Sequence, residues 1–309
     1  MTQGPRLYDD RFGYPGTFAL SGCRECRHRT LDVDFSQQEL GRLYGEFYPR
    51  SDLRVEDCKP LRELDRPEAW MEGAMCSPAY WVPRGVRVLD IGCGFGETLG
   101  YHRDRGCDAW GVEVDENIRR VAERHGFQVR VGLFDARLFE EESFDYVTMA
   151  QVLEHTLDPV ETLRGVCRVL KPGGVAVLTL PNAQGWGARA FGRRWIHWHA
   201  PYHVQFFSLQ SMEVAAARAG MRVDSHQTIT SSSWLLYQWI HLLTRPREGR
   251  PSGFWAPRRT QLTESQRLGV RLLGRLHRLK LDHLLTRLFD ALGSGDNLVF
   301  VLRKPARTA

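Results

Sequence analysis

The sequence has no long apolar run, no cysteine framework and almost no lysine. Its densest apolar stretch, Trp234 to Leu243, is interrupted by Gln238 and His241 and is too short to span a bilayer. Seven cysteines are scattered over 309 residues, an odd number without the spacing of a disulfide scaffold. The first ten residues lack the apolar centre of an export signal. We therefore expect a cytoplasmic protein.

Charge is divided unevenly along the chain. The net charge is +5, yet residues 186–287 carry 16 basic and 5 acidic side chains, and the first 185 residues are acidic overall. A basic half is typical of a protein that meets an anionic partner, such as a phosphorylated molecule, a membrane surface or nucleic acid. A solvated helical surface rich in arginine fits the same pattern, since only four of the 42 basic residues are lysine. Both interpretations stay open.

Three regions follow one another. Residues 1–75 are turn-rich and polar, and we interpret them as an N-terminal cap. Residues 76–230 alternate short apolar runs with helical patterns, which is typical of βαβ units and an α/β fold, and residues 296–304 add a last strand. Residues 231–295 have the pattern of a basic, amphipathic helical insertion. Seven strands are predicted, at residues 87–91, 109–113, 129–131, 144–149, 175–180, 221–229 and 297–303.

The strongest motif follows the first of these strands. Gly92, Gly94 and Gly96 alternate at its end and lead into a predicted helix. Glycines allow a tight turn and a close approach of a ligand, and a helix N-terminus offers free N–H groups to a carboxylate or phosphate. A dinucleotide loop has its third glycine one residue later, where this chain has Glu97. The spacing therefore departs from the dinucleotide fingerprint.

Acidic residues follow the next two strands. Glu113 ends the second strand, where a carboxylate can accept both hydroxyls of a ribose. Asp115 is a second candidate for that role, although its position also suits the cap of a following helix. Asp135, after the third strand, could accept from an adenine amino group or only form a turn.

Together these motifs resemble the class I S-adenosylmethionine-dependent methyltransferases, in particular methyltransferase domain 23 and the ubiquinone-biosynthesis-like group. The resemblance extends from about Val86 to Phe207 and includes Gln151-Val-Leu-Glu-His155, Leu180-Pro-Asn182 and Pro201-Tyr-His-Val-Gln-Phe-Phe207. It implies a Rossmann-like seven-stranded sheet whose last strand is antiparallel and inserted beside the sixth. It also implies S-adenosylmethionine as the cofactor.

The same resemblance implies which residues hold that cofactor. The methionine end would be lined by Asp90, Gly92, Gly94 and Gly96, and the ribose would be held by Glu113. The adenine would lie against Asp135 and Ala136. Gln151 would lie nearest the sulfonium.

Two histidines are candidate general bases for a hydroxyl acceptor. His155 follows the fourth strand and His203 follows the fifth, and in relatives both positions belong to motifs near the acceptor pocket. A structural role for either histidine stays open. Residues 195–203 hold three histidines among aromatic residues but no interleaved carboxylate or cysteine, so we expect an aromatic lid over the cofactor and no metal.

The N-terminal cap resembles that of a methyltransferase group that is common in gene sets for bacterial surface sugars and secondary products. The resemblance rests on residues 7–16 and on Cys23-Arg-Glu-Cys26. Many members carry a second Cys-x-x-Cys upstream, and the two pairs together would form a four-thiolate zinc knuckle. This chain has only one pair, so we expect no zinc, and either the true start lies upstream or the pair forms a metal-free hairpin. The front would cap the acceptor pocket.

Leucines recur at helical spacing from Leu268 to Leu288, with arginines beside them. Peripheral membrane contact through residues 232–290 fits this pattern, and so does packing on the sheet or on a second subunit of a homodimer. We expect O-methylation of a sugar, glycan precursor or secondary metabolite, phosphorylated or lipid-linked. The alternatives are a quinone-ring O-methyltransferase and a non-catalytic binding module. Nucleic-acid methylation is disfavoured because the chain has no Asn-Pro-Pro-Tyr type tetrapeptide.

Overall fold

The N-terminal region of the computed structural model, which describes residues 2–48, 55 and 58–307, forms a small antiparallel sheet. Its first three strands pair in sequence order and are β1 (Thr2–Tyr8), β2 (Thr17–Gly22) and β3 (Arg29–Leu31). Helix α1 (Gln37–Arg42) begins at Ser36, whose hydroxyl accepts from the Glu39 N–H while the Glu39 side chain accepts from the Ser36 N–H. Helix α2 (Arg66–Glu72) then leads into the central region.

The central region alternates strands and helices. Its elements are β4 (Arg87–Ile91), α3 (Glu97–Asp104), β5 (Asp108–Glu113), α4 (Ile118–His125), β6 (Gln128–Val131), β7 (Phe144–Ala150), α5 (Pro159–Val169) and β8 (Leu170–Pro181). The remaining elements are α6 (Trp186–Phe191), β9 (Gln205–Phe206), α7 (Leu209–Arg218), β10 (Arg222–Ile229), α8 (Ser232–Thr244), α9 (Glu264–Arg278), α10 (Leu281–Ala291) and β11 (Asn297–Arg303).

Seven strands form one sheet in the order β10-β11-β8-β7-β4-β5-β6. Strands β4 to β8 are parallel to one another, whereas β11 lies antiparallel between β8 and β10. The predicted Rossmann-like sheet with an inserted antiparallel last strand is confirmed. β8 starts five residues earlier than predicted, because Leu170 already pairs with Phe144 before the turn at Pro172.

The main core lies between this sheet and its helices. Strand residues such as Leu89, Val147 and Leu178 are completely buried. Helix α5 shows why the helices pack there: its buried residues are Leu163, Val166 and Val169, which recur every third residue and lie on one face. Burying one such side chain contributes about 1.5–3 kcal/mol.

The small N-terminal sheet is completed by β9, which pairs with β3 through Arg29 opposite Phe206. Because β9 begins two residues after His203, this pairing holds the N-terminal region over the segment that contains the histidines. Residues 1–75 show little sustained hydrophobic periodicity, because the strands of this region are short and the last strand that they pair with lies about 175 residues away.

The helical insertion between β10 and β11 consists of α8, α9 and α10. Helices α9 and α10 pack against α8, and α10 also contacts α2. Among the residues that the structure describes, no helix combines the length and the apolar character that crossing a membrane would require.

Candidate active site

The glycine loop occupies the turn between β4 and α3. Gly92, Gly94 and Gly96 all have positive φ angles, of 76°, 55° and 83°, a region that other residues rarely adopt. A Cβ on Gly92 would lie 2.5 Å from Cγ2 of Val152, so the loop packs directly on the segment that follows β7. A Cβ on Gly94 would meet no described atom within 4 Å. The loop is therefore open at Gly94, where a ligand can approach the backbone.

Glu113 lies beside this opening. Its carboxylate accepts a hydrogen bond from the Gly94 N–H and another from the Asp115 N–H, both at 2.9 Å. An ionised carboxylate has about four acceptor positions, so two remain for a ligand hydroxyl pair. Asp115 instead accepts from the Asn117 N–H at 2.9 Å and so forms a turn just before α4, whose N-cap is Asn117 and not Asp115 as the alternative prediction had it.

Asp90 lies beneath the loop. Its carboxylate is 3% exposed and accepts hydrogen bonds from the hydroxyls of Thr98 and Thr148. Burial raises the pKa of Asp90 to about 6, against the effect of these two hydrogen bonds. Because Thr98 belongs to α3 and Thr148 to β7, Asp90 connects the loop to both elements from inside.

The other predicted cofactor residues lie along the same edge of the sheet. The strand order β7-β4-β5-β6 places Gln151, the glycine loop, Glu113 and Asp135 at successive strand ends. Neighbouring strands lie about 4.8 Å apart, so this row has the length of an extended nucleoside-type ligand. Ala136 is half-buried next to Asp135, and the Asp135 carboxylate pairs with the Arg137 guanidinium at 2.8 Å.

Gln151 shows backbone strain. Its φ angle is 55°, a left-handed conformation that is rare for a residue with a side chain and costs on the order of 1–3 kcal/mol. Its side-chain amide donates to the Asn297 side-chain oxygen at 3.2 Å, across to the start of β11. Such strain is concentrated at functional sites.

The two candidate bases lie together. The rings of His155 and His203 are perpendicular, with centroids 4.6 Å apart. His155 Nδ1 lies 2.9 Å from the carbonyl oxygen of Tyr202, and His203 Nδ1 lies 2.8 Å from that of His197. Since a carbonyl can only accept, each Nδ1 carries the proton and each Nε2 keeps its lone pair.

Glu154 completes this group, and the sequence analysis missed it. One of its carboxylate oxygens lies 4.0 Å from His203 Nε2, and neither oxygen has a hydrogen-bond partner among the described residues. Burial raises the pKa of Glu154 to about 8 and lowers the pKa of His155 to about 4, and burial also holds the pKa of His203 well below its usual range. Adjacency to His155 was visible in the sequence, but the approach of His203 was not.

The aromatic side chains of residues 195–203 fall into two groups. Trp195 and Trp198 are buried in the core beneath the small sheet, and the Trp195 indole N–H donates to Asp296 at 3.0 Å. Tyr202 instead packs against Tyr48 and His199, with ring centroids 5.2 and 4.9 Å away. Burial raises the pKa of Tyr48, Arg11 lowers it, and the negative charge of Glu113 raises it.

Two other features lie outside this site. A cleft of about 330 Å³ is lined by residues such as Asn182, Arg189 and Ser294 and shares no residue with the glycine loop or the histidines. Cys23 and Cys26 are free thiols in the turn between β2 and β3. Within the described ranges no third potential metal ligand joins the two cysteines.

The comparisons with known proteins agree with this geometry. A family model described as a methyltransferase domain matches residues 60–226, more than half of the chain. Ubiquinone biosynthesis O-methyltransferases from Alkalilimnicola ehrlichii and Pseudomonas putida are 29% and 33% identical over 133 and 137 residues, which is 41% and 42% of this chain. The aligned regions cover 52% and 56% of those proteins, so the chain spans about half the length of the curated relatives that it matches.

One solved structure is similar to this chain in fold alone. The [4+2]-cyclase SpnF is 18% identical, with a TM-score of 0.50 over 89% of this chain and 98% of that one. Because that neighbour is named for a cyclisation, the shared fold does not fix a reaction. The matched family model shows the family: this chain belongs to the methyltransferase domain family, the class I S-adenosylmethionine-dependent methyltransferases, and its cofactor is S-adenosylmethionine.

Proposed function

We propose that this protein methylates a hydroxyl group of a small molecule that binds between the glycine loop and the pair His155 and His203. The observation that carries the proposal is the contact between Gly92 and Val152, because it joins the cofactor loop to the segment that bears His155. The methyl group and the acceptor would meet at this junction. The names of the matched relatives, ubiquinone biosynthesis O-methyltransferases, support oxygen as the atom that is methylated.

The cofactor would lie along the row of strand ends. The open backbone at Gly94 and the first turn of α3 suit the methionine carboxylate, since both offer unoccupied space or free N–H groups. Glu113 would accept from the ribose hydroxyls, and Asp135 with Ala136 would border the adenine. Gln151 would face the sulfonium, with Asp90 supporting the loop from below.

Methyl transfer is an in-line displacement in which the acceptor oxygen forms a bond to carbon as the carbon–sulfur bond breaks. Positioning supplies much of its rate. A hydroxyl must also lose its proton, and the lone pair on Nε2 of either His203 or His155 is suited to receive it. Burial of this site excludes water, which would otherwise compete for the base.

Two acceptor classes are compatible with this site. A sugar, glycan precursor or secondary metabolite fits the resemblance of the N-terminal region, whereas a quinol ring fits the names of the matched relatives. A panel assay that detects S-adenosylhomocysteine release, with sugar nucleotides in one arm and short-chain quinols in the other, distinguishes them. Turnover in neither arm, or equal turnover by the Glu113→Ala variant, would contradict the proposal.

We also propose that the helical insertion contacts an anionic membrane surface. Eight leucines on α9, on α10 and at the ends of these helices are 45–69% exposed; they are Leu268, Leu272, Leu276, Leu279, Leu281, Leu284, Leu288 and Leu292. Four exposed arginines stand beside them, at positions 267, 271, 275 and 278. Two copies of this face would bring like charges together, whereas anionic lipid neutralises them and accepts the leucines. Such contact would give access to a lipid-linked acceptor.

A further inference from the structure

We propose that Glu154, His155 and His203 form a binding site for one divalent transition-metal ion, of the zinc class, beside the cofactor loop. One nitrogen of each ring and one carboxylate oxygen all lie within 4.8 Å of one another. Three ligands at about 2 Å from a tetrahedral zinc ion lie roughly 3.3 Å apart. A contraction of about 1.5 Å, within reach of a glutamate side-chain rotation, would close the site. Metal binding itself does not depend on the proposed acceptor.

The orientation of the two imidazoles supports a metal. Each ring donates its Nδ1 proton to a backbone carbonyl, at 2.9 Å for His155 and 2.8 Å for His203. Histidines that bind metals almost always make such a bond with the other ring nitrogen, because it fixes the ring and leaves the Nε2 lone pair for the metal. The segments that carry these two histidines lie 48 residues apart in the sequence, yet one ring nitrogen of each belongs to the same cluster.

The carboxyl group of Glu154 also supports a metal site. The residue is 0% exposed, and both of its oxygens lack a hydrogen-bond partner among the described residues. A buried carboxylate without a partner is costly, and buried charges in proteins are paired or coordinate metals. A cation held by the two imidazoles would satisfy this group. No metal was expected from the sequence, because the third ligand, His203, lies 49 residues after Glu154.

A second histidine cluster provides a contrast. At the junction of α9 and α10, Asp282 lies 2.6 Å from His277 Nδ1 and 2.8 Å from His283 Nδ1, and Glu72 lies 3.2 Å from His283 Nε2. There the carboxylates and imidazoles already satisfy one another without a cation. This cluster therefore needs no metal ion, and its histidines serve as a control for nonspecific Zn²⁺ binding by imidazole.

Three protein ligands leave one position open, as in catalytic zinc sites. On the proposed function, the acceptor hydroxyl would occupy that position and pass its proton to the carboxylate oxygen of Glu154 that does not bind the metal. The resulting alkoxide would attack the methyl carbon as the bond from that carbon to sulfur breaks, giving the methyl ether and S-adenosylhomocysteine. With both Nε2 atoms bound to the metal, neither histidine would act as the base.

The test uses the full chain, freed of metal with a chelator and then dialysed. Calorimetric titration with Zn²⁺ and visible absorption with Co²⁺ should show one ion per chain with tetrahedral d–d bands. Glu154→Gln keeps the side-chain shape and should weaken Zn²⁺ binding at least 30-fold, and His155→Gln should do the same, while His277→Ala should leave it unchanged. Circular dichroism checks that each variant is folded.

Absence of binding by the folded wild-type chain would overturn the site. The site would also be overturned if the folded Glu154→Gln or His155→Gln variant bound Zn²⁺ as tightly as the wild type, while His277→Ala lost Zn²⁺ binding. Because metal binding is measured without an acceptor, failure to find methyl transfer would count against the proposed function and leave the metal result standing.

Discussion

Glu113 accepts a hydrogen bond from the backbone N–H of Gly94 at 2.9 Å, across the ends of the neighbouring strands β5 and β4. The same carboxylate accepts from the Asp115 N–H, so two backbone groups fix its position. The acidic side chain and the most open point of the glycine loop therefore form one unit. Changes at either residue should affect cofactor binding in the same direction.

Gly94→Ala should weaken S-adenosylmethionine binding at least tenfold while the fold persists. A Cβ at this position meets no atom of the described residues within 4 Å, so the methyl group would occupy the space of the ligand. The positive φ adds about 1–2 kcal/mol of strain to the folded state. Calorimetric titration and thermal unfolding measure the two effects separately.

Gly106→Ala is the matched control. Gly106 has a φ of 74° and open space at its Cβ, but it lies between α3 and β5, at the opposite edge of the sheet. It should lose similar stability and keep full cofactor affinity. If the two alanine variants bound the cofactor equally well, Gly94 would not border the cofactor.

His203→Gln and His155→Gln should each lower kcat at least 100-fold once an acceptor is found, with the dissociation constant of S-adenosylmethionine nearly unchanged. Either variant removes an Nε2 lone pair, which serves the reaction as a base or as a metal ligand. Rapid-quench kinetics with saturating cofactor give the rate of the chemical step. A variant with wild-type kcat would identify that histidine as structural.

Asp90 should make stability depend on pH. Its pKa in the folded protein is about 6, above the ordinary value of 3.8, so the folded state binds this proton more tightly than the unfolded state. The stabilisation of the folded state by the proton on Asp90 is therefore present at low pH and is lost as pH rises through 6. Relative to Asp90→Asn, the free energy of unfolding of the wild type should therefore rise by up to about 3 kcal/mol between pH 7 and pH 4. Urea denaturation at several pH values measures it, and parallel pH profiles would contradict the assignment.

Paired substitutions test the leucine face. Leu272→Glu with Leu276→Glu should reduce co-sedimentation with phosphatidylglycerol vesicles at least fivefold, because the helical face then repels anionic lipid. Val214→Glu on α7, which is also exposed, should leave it unchanged. The membrane proposal would be ruled out if the leucine substitutions did not alter vesicle binding. It would also be ruled out if the wild-type chain dimerised through this face and did not bind vesicles.

Local sequence patterns predicted the central sheet well because most of its strands are short apolar runs that alternate with helical patterns. Six of the seven strands begin and end within one residue of the predicted limits, and the glycine loop and Glu113 lie together as expected. The start of β8 was missed because the helix passes directly into the strand, without a polar break, at Leu170.

Features that depend on distant contacts could not be read from the sequence. The N-terminal sheet requires β9 to pair with β3, and polar strands of three to seven residues carry little periodicity. Glu154 was overlooked because its significance arises only when His203, 49 residues later, folds back to within 4.0 Å. An aromatic lid was predicted from residues 195–203; Trp195 and Trp198 pack into the core beneath the small sheet, whereas Tyr202 packs against Tyr48 of the N-terminal region.

Cofactor binding is the claim on which the rest of the account depends. Calorimetric titration of the purified chain with S-adenosylmethionine and S-adenosylhomocysteine should show one saturable site for each. Glu113→Ala should weaken both at least tenfold, whereas Glu116→Gln, an exposed acidic residue three positions later, should bind as the wild type does. A folded wild-type chain that binds neither compound, or a Glu113→Ala variant with unchanged affinity, would contradict the assignment of this site.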